Sequence, residues 1–133
     1  MSKYLTTIAL SGAAIIPIFQ DTGITHLLNP LWDAHARPHL VWMISSNFLI
    51  FLLAIYLLWF KNKELLTAAL SLCILIGYDI SAVLMPLYGG IPLGEGGVEP
   101  EPFGIPINLL FFNTMLVIQL ISLSLILKTK KGA

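Results

Sequence analysis

His35 and His39 stand four residues apart in THLLNPLWDAHARPH, residues 25–39, a stretch that also holds His26. These are all three histidines of the chain, and the stretch also carries its one arginine, Arg37. On a continuous helix, residues four apart share a face. Two imidazoles so placed suit paired acid–base work or ligation of a zinc or iron ion. Pro38 interrupts that reading. Proline favours the first turn of a helix, and the residue before it avoids helical angles. The expectation is therefore a helix beginning at Pro38 with Arg37 as its cap, His39 inside it and His35 in the loop. A ligand set of His26, His35 and His39, with Asp21 and Asp33 nearby, would hold a metal or haem. The bland alternative is histidines bonding to backbone and lipid headgroups at an interface.

Asp79 is the second candidate. It lies within LCILIGYDISAVLMPLY, an otherwise apolar run. An ionisable group at such a place costs at least ~2.5 kcal/mol on membrane-insertion scales and normally faces the interior with a partner. It would act as a general acid or base, a counter-charge or a proton relay, or lock one helix to another. Asn47 and Asn113 are amides expected near its level. Trp42 follows His39 by almost one helical turn and would cover an apolar or cationic ligand, or anchor at a membrane interface as Trp32 and Trp59 would. Arg37 would pair with Asp21 or Asp33, or bind a lipid phosphate. Ser45, Ser46, Asn108 and Gln119 read as helix-to-helix hydrogen bonds.

The elements that must position these groups follow from composition. The chain has 133 residues, 57 % hydrophobic and 11 % charged, with mean hydropathy +0.88. Soluble domains carry about 25 % charged residues, so lipid is the expected solvent. Apolar runs define four spans, at about 4–24, 38–60, 65–88 and 105–127. Each approaches the roughly 20 residues that cross ~30 Å of hydrocarbon. The N-terminal run also resembles a signal peptide, but it continues apolar to Phe19 and is read as a retained first helix. Pro17 and Pro86 would kink the first and third spans near one end.

Lysine placement supports four spans. Lys3, Lys61, Lys63, Lys128, Lys130 and Lys131 all fall on one side of such a chain, and only Arg37 falls on the other. By the positive-inside rule both termini face the cytoplasm. The expected architecture is an all-α integral membrane four-helix antiparallel bundle, one domain over residues 1–133, in the cell inner membrane. The connection GGIPLGEGGVEPEPFG, with Glu95, Glu99 and Glu101, is too rich in glycine and proline for regular structure. It would be a lid or a solvated connector.

Several classes are excluded. Net charge is zero, which gives no footprint for nucleic acid. GEGG lacks the strand, helix and lysine of a phosphate loop, and no G-x-S-x-G elbow is present. The one cysteine, Cys73, cannot form an internal disulfide.

One resemblance adds to this. The pattern D-x-x-x-T-H-L-x-N-P-x-W-x-x-H-A-R-x-H runs from Asp21 through Asn29, Pro30 and Trp32 to His39. It is similar to the signature of a family of small bacterial and fungal membrane proteins of unknown function. That resemblance covers roughly residues 7–59 and implies a signature segment without naming its role. A looser one is to the EXPERA fold of the sigma-2 receptor and the emopamil-binding sterol isomerase, carried by PIFQD at residues 17–21. It implies four helices around a lipid-sized cavity, with His39 and Asp79 as pocket residues.

The leading expectation is thus a lipid-pocket protein, isomerase- or cyclase-like, acting on an apolar substrate. His26, His39 and Asp79 would be catalytic, while Trp42, Arg37, Asn47, Asn113 and Asp21 would bind ligand. The alternatives are a metal- or haem-binding membrane protein and a non-catalytic subunit that contacts a second copy or a membrane partner.

Overall fold

The computed structural model describes residues 1–90 and 99–131, and the described residues contain helices and turns but no strand. Helix α1 spans Ser2–Asp21, α2 Ala36–Trp59, α3 Glu64–Tyr88 and α4 Ile107–Lys131. All four are long and apolar enough to cross a membrane by length and composition. A single 3₁₀ turn, Pro102–Gly104, precedes α4. Glu95 and half of the expected lid, residues 91–98, lie outside the described residues.

Each boundary has a local cause. Helix α2 starts at Ala36, two residues earlier than the Pro38 rule predicts. The Asp33 carboxylate accepts the His35 N–H at 2.7 Å and the Asp33 carbonyl accepts the Ala36 N–H at 3.1 Å, which winds the chain before the proline. Pro38 is then the third helical residue, where its missing N–H would have had no intrahelical partner anyway. Helix α3 ends at Gly89, whose φ of +69° is cheap only for glycine, and the Gly90 N–H returns to the Met85 carbonyl at 3.0 Å. The short α2–α3 turn closes through Asn62 at φ +51°, a conformation asparagine tolerates better than most residues. Helix α4 begins under Glu99, which accepts the Asn108 N–H at 2.8 Å. A carboxylate there satisfies an orphan donor and complements the helix dipole.

Packing centres on α1. It meets α4, α2 and α3, while α3 also packs on α2 and α4. The α1 face is made of small residues: Ala9, Ala13 and Ala14 are buried, and Gly12 lies against Met115 and Phe111 of α4. Small side chains let helix backbones approach closely. Ala9, Ala13 and Leu75 form the core, with Ile74, Phe112, Met115 and Leu116 packed on it.

Buried polar groups tie the same helices together. Thr6 and Ser122 share a hydrogen bond of 2.8 Å, Gln119 donates to Thr6 at 3.4 Å, and Ser122 donates to the Ser2 carbonyl at 2.8 Å. The Ser2 hydroxyl in turn donates to Glu64 at 2.7 Å. Trp59 donates its indole N–H to Thr7 at 3.2 Å and packs edge-on to Tyr4, so it clamps α2 to α1. The outward faces are strongly apolar. Phe19, Leu49, Val83 and Leu87 are all exposed. A chain folded in water would be left with a continuous sticky surface.

Candidate functional site

The sequence candidates resolve into three groups. The first joins α3 to α4. The half-buried Asp79 accepts a hydrogen bond from Asn113 Nδ2 at 3.2 Å, and the same amide nitrogen donates to the Leu109 carbonyl at 3.0 Å. Beside it, the Tyr78 ring stacks on Phe112 with centroids 4.0 Å apart. Asp79 also lines an open groove of about 250 Å³ whose other walls are Ile80, Val83 and Leu84. A carboxylate held by one amide and facing an aliphatic groove can exchange a proton with an apolar molecule lodged there. Asn47 is half-buried in α2 and makes no side-chain hydrogen bond among the described residues.

The second group is the histidine pair. Because α2 begins before Pro38, His35 and His39 stand one turn apart at its start. Their Nε2 atoms are 3.1 Å apart and their rings meet edge-on. Both side chains are exposed. A hydrogen bond at that separation has one Nε2–H as donor and the other Nε2 lone pair as acceptor, the roles being set by the tautomers. With both lone pairs turned outward, the same separation approaches the ~3.3 Å edge of a tetrahedron built on metal–nitrogen distances of about 2.0–2.1 Å. The Trp42 ring lies 6.4 Å from His39, tilted rather than stacked.

The third group is His26. Its Nδ1 lies 3.9 Å from Asp21 Oδ1 and 3.0 Å from the Thr25 hydroxyl, and its ring meets Trp32 edge-on. The expected three-histidine ligand set therefore separates into a pair and a single residue. Among the described residues no three His, Cys, Asp or Glu side chains are grouped to hold an ion. The cause is the intervening chain. Backbone bonds from Leu27 to Asp21 and from Leu28 to Gly23 curl residues 22–28 back on the end of α1, while His35 and His39 belong to α2. Arg37 pairs with neither aspartate. Its Nη2 donates to the Asn29 carbonyl at 3.0 Å, which holds the 22–35 connection against α2.

Sequence reasoning missed a fourth place. An open cavity of about 670 Å³ lies at the lysine-rich end, lined by residues that include Lys63 and Lys130. Its walls come from the beginnings of α1 and α3 and the end of α4, which no local motif connects.

Comparison of the chain with known protein families, with curated proteins and with solved structures finds no match.

Proposed function

We propose that the chain is an integral membrane four-helix antiparallel bundle with both termini on the cytoplasmic side, and that it binds an apolar small molecule or lipid in the groove beside Asp79. The observation that carries this reading is Asp79 itself: an ionisable side chain within a candidate span, paired to Asn113 and set in an aliphatic wall. Such a group is expensive to place in lipid and is retained where it does something. An isomerase-type step moves a double bond by adding a proton at one carbon and removing one at another, so one carboxyl group can supply and recover the proton with no other reactant. The histidine pair and Trp42 would stand at the outer rim of the groove-bearing half.

The test is mass spectrometry of small molecules that co-purify with the protein in mild detergent, beside Asp79→Asn and Asp79→Leu. A defined apolar compound present with the native chain and reduced in both variants supports the reading. Identical contents in all three would overturn it. A reporter fused after Ala133 checks the topology independently, and must read out as cytoplasmic.

The 3.1 Å separation of His35 and His39 specifically favours a second reading, a metal held by two imidazoles with further positions open to water. Elemental analysis of chelator-free protein decides it. Stoichiometric metal lost in both His35→Ala and His39→Ala would establish it, and metal-free native protein would remove it.

A further inference from the structure

The cavity at the lysine-rich end has two kinds of wall. Leu65 and Leu66 of α3 and Ile126 of α4 are aliphatic, and Lys63 beside α3 with Lys130 and Thr129 of α4 are cationic or polar. Neither lysine has an acidic partner: among the described residues the one ion pair is His26–Asp21, and neither amine makes a hydrogen bond. Glu64 also lines the cavity; its carboxylate accepts a hydrogen bond from the Ser2 hydroxyl and keeps its charge, so the lining carries two cations and one anion. Lys3 is turned to Asn62 and sits 5.7 Å above the Trp59 ring. Two cations outside any ion pair, in excess over the one carboxylate, therefore border aliphatic side chains. The first turn of α3 adds N–H groups without a side-chain cap, beside Glu64, the acidic residue of that turn. At about 670 Å³ the space falls within the range of small-molecule sites.

We infer that this cavity binds the phosphate-bearing headgroup of an anionic phospholipid, with the phosphate between Lys63 and Lys130 and the first acyl carbons along Leu65, Leu66 and Ile126. The chemistry requires both walls. A soluble phosphate would leave the aliphatic slot unused, and a zwitterionic lipid would bring its own cation to the lysines. The inference rests on the membrane reading, because it places this end at the cytoplasmic headgroup layer, where a juxtamembrane lysine attracts anionic lipid.

The experiment is native mass spectrometry of the full chain in mild detergent, titrated separately with phosphatidylglycerol, phosphatidylcholine and glycerol phosphate. Phosphatidylglycerol should bind one molecule per chain, at least about tenfold tighter than phosphatidylcholine. The variant K63Q/K130Q should bind it about 30-fold more weakly, from the contribution expected of two lysines. K128Q/K131Q removes the same charge outside the cavity and should cost far less. K130Q alone, on an exposed helix end, keeps the test available should the double variant misfold. Equal binding of the two lipids, or equal losses in both double variants, would overturn the proposal. Glycerol phosphate binding as tightly as the lipid would also overturn it, leaving a free-phosphate site. Carbonate extraction of native membranes separates the two layers of argument: protein retained in the membrane without preference for phosphatidylglycerol refutes this site alone, and protein released refutes the membrane reading.

Discussion

Replacing Gln119 by leucine should stabilise the protein. Gln119 is fully buried, its Nε2 reaches Thr6 only at 3.4 Å, and its Oε1 has no hydrogen-bond partner. Exchanging the amide's two ends leaves the other end without one, so the conclusion does not depend on that assignment. A buried acceptor without a partner costs about 1–3 kcal/mol. The long bond to Thr6 returns well under ~1 kcal/mol, and Thr6 keeps its 2.8 Å bond to Ser122 after the substitution. Leucine is apolar and of similar size, so repacking should cost less than about 1.5 kcal/mol. The net expectation is a gain of about 1 kcal/mol. The counterpart, Thr6→Val, removes two bonds at once and leaves the Gln119 amide wholly unpaired, with an expected loss of about 1–3 kcal/mol. Titration of the detergent-solubilised protein with SDS, followed by tryptophan fluorescence, reads both midpoints. A loss above ~1 kcal/mol for Gln119→Leu would refute the reasoning, because it would mean that Oε1 accepts a hydrogen bond of real worth.

Two further outcomes follow from packing. A Cβ at Gly12 would lie 2.5 Å from Met115 Sδ, so Gly12→Leu should cost about 1–3 kcal/mol or more, and Met115→Ala in the same chain should recover part of it. The same titration, run as a double-mutant cycle, measures that coupling. Asn113→Leu removes the donor from Asp79 and should cost about 1–3 kcal/mol, while Asp79→Leu/Asn113→Leu should be more stable than Asn113→Leu alone. If the double variant is no better, the Asp79–Asn113 bond does not couple the two positions.

Much of the helical frame was legible because apolar runs and the grouping of lysines are read directly from residue type. The error at α2 came from treating Pro38 as a boundary. Proline is excluded from helix interiors but not from a first turn, and the Asp33 side chain that winds the preceding residues left no apolar period to read. The Asp79–Asn113 pair could be anticipated because each is a lone polar group in an apolar run, and such groups seek one another. The separation of His26 from the other two histidines could not, since it depends on how residues 22–28 fold back. The cavity between Lys63 and Lys130 was invisible for a similar reason: its walls belong to chain segments more than fifty positions apart, brought together only by helix packing.

The small-residue face of α1 bears on how the protein is made. Helix α1 precedes the other three and is the least apolar of the four, yet its buried Thr6 finds its partners, Gln119 and Ser122, only in α4. In a bilayer, α1 therefore lacks these interhelical bonds until α4 has left the ribosome, and Thr6 can meanwhile bond only within its own helix, as Thr7 does to the Lys3 carbonyl. Assembly should be limited by the arrival of α4. Chains truncated before residue 119 should be cleared by quality-control proteases, and co-expression of α4 as a separate fragment should restore them.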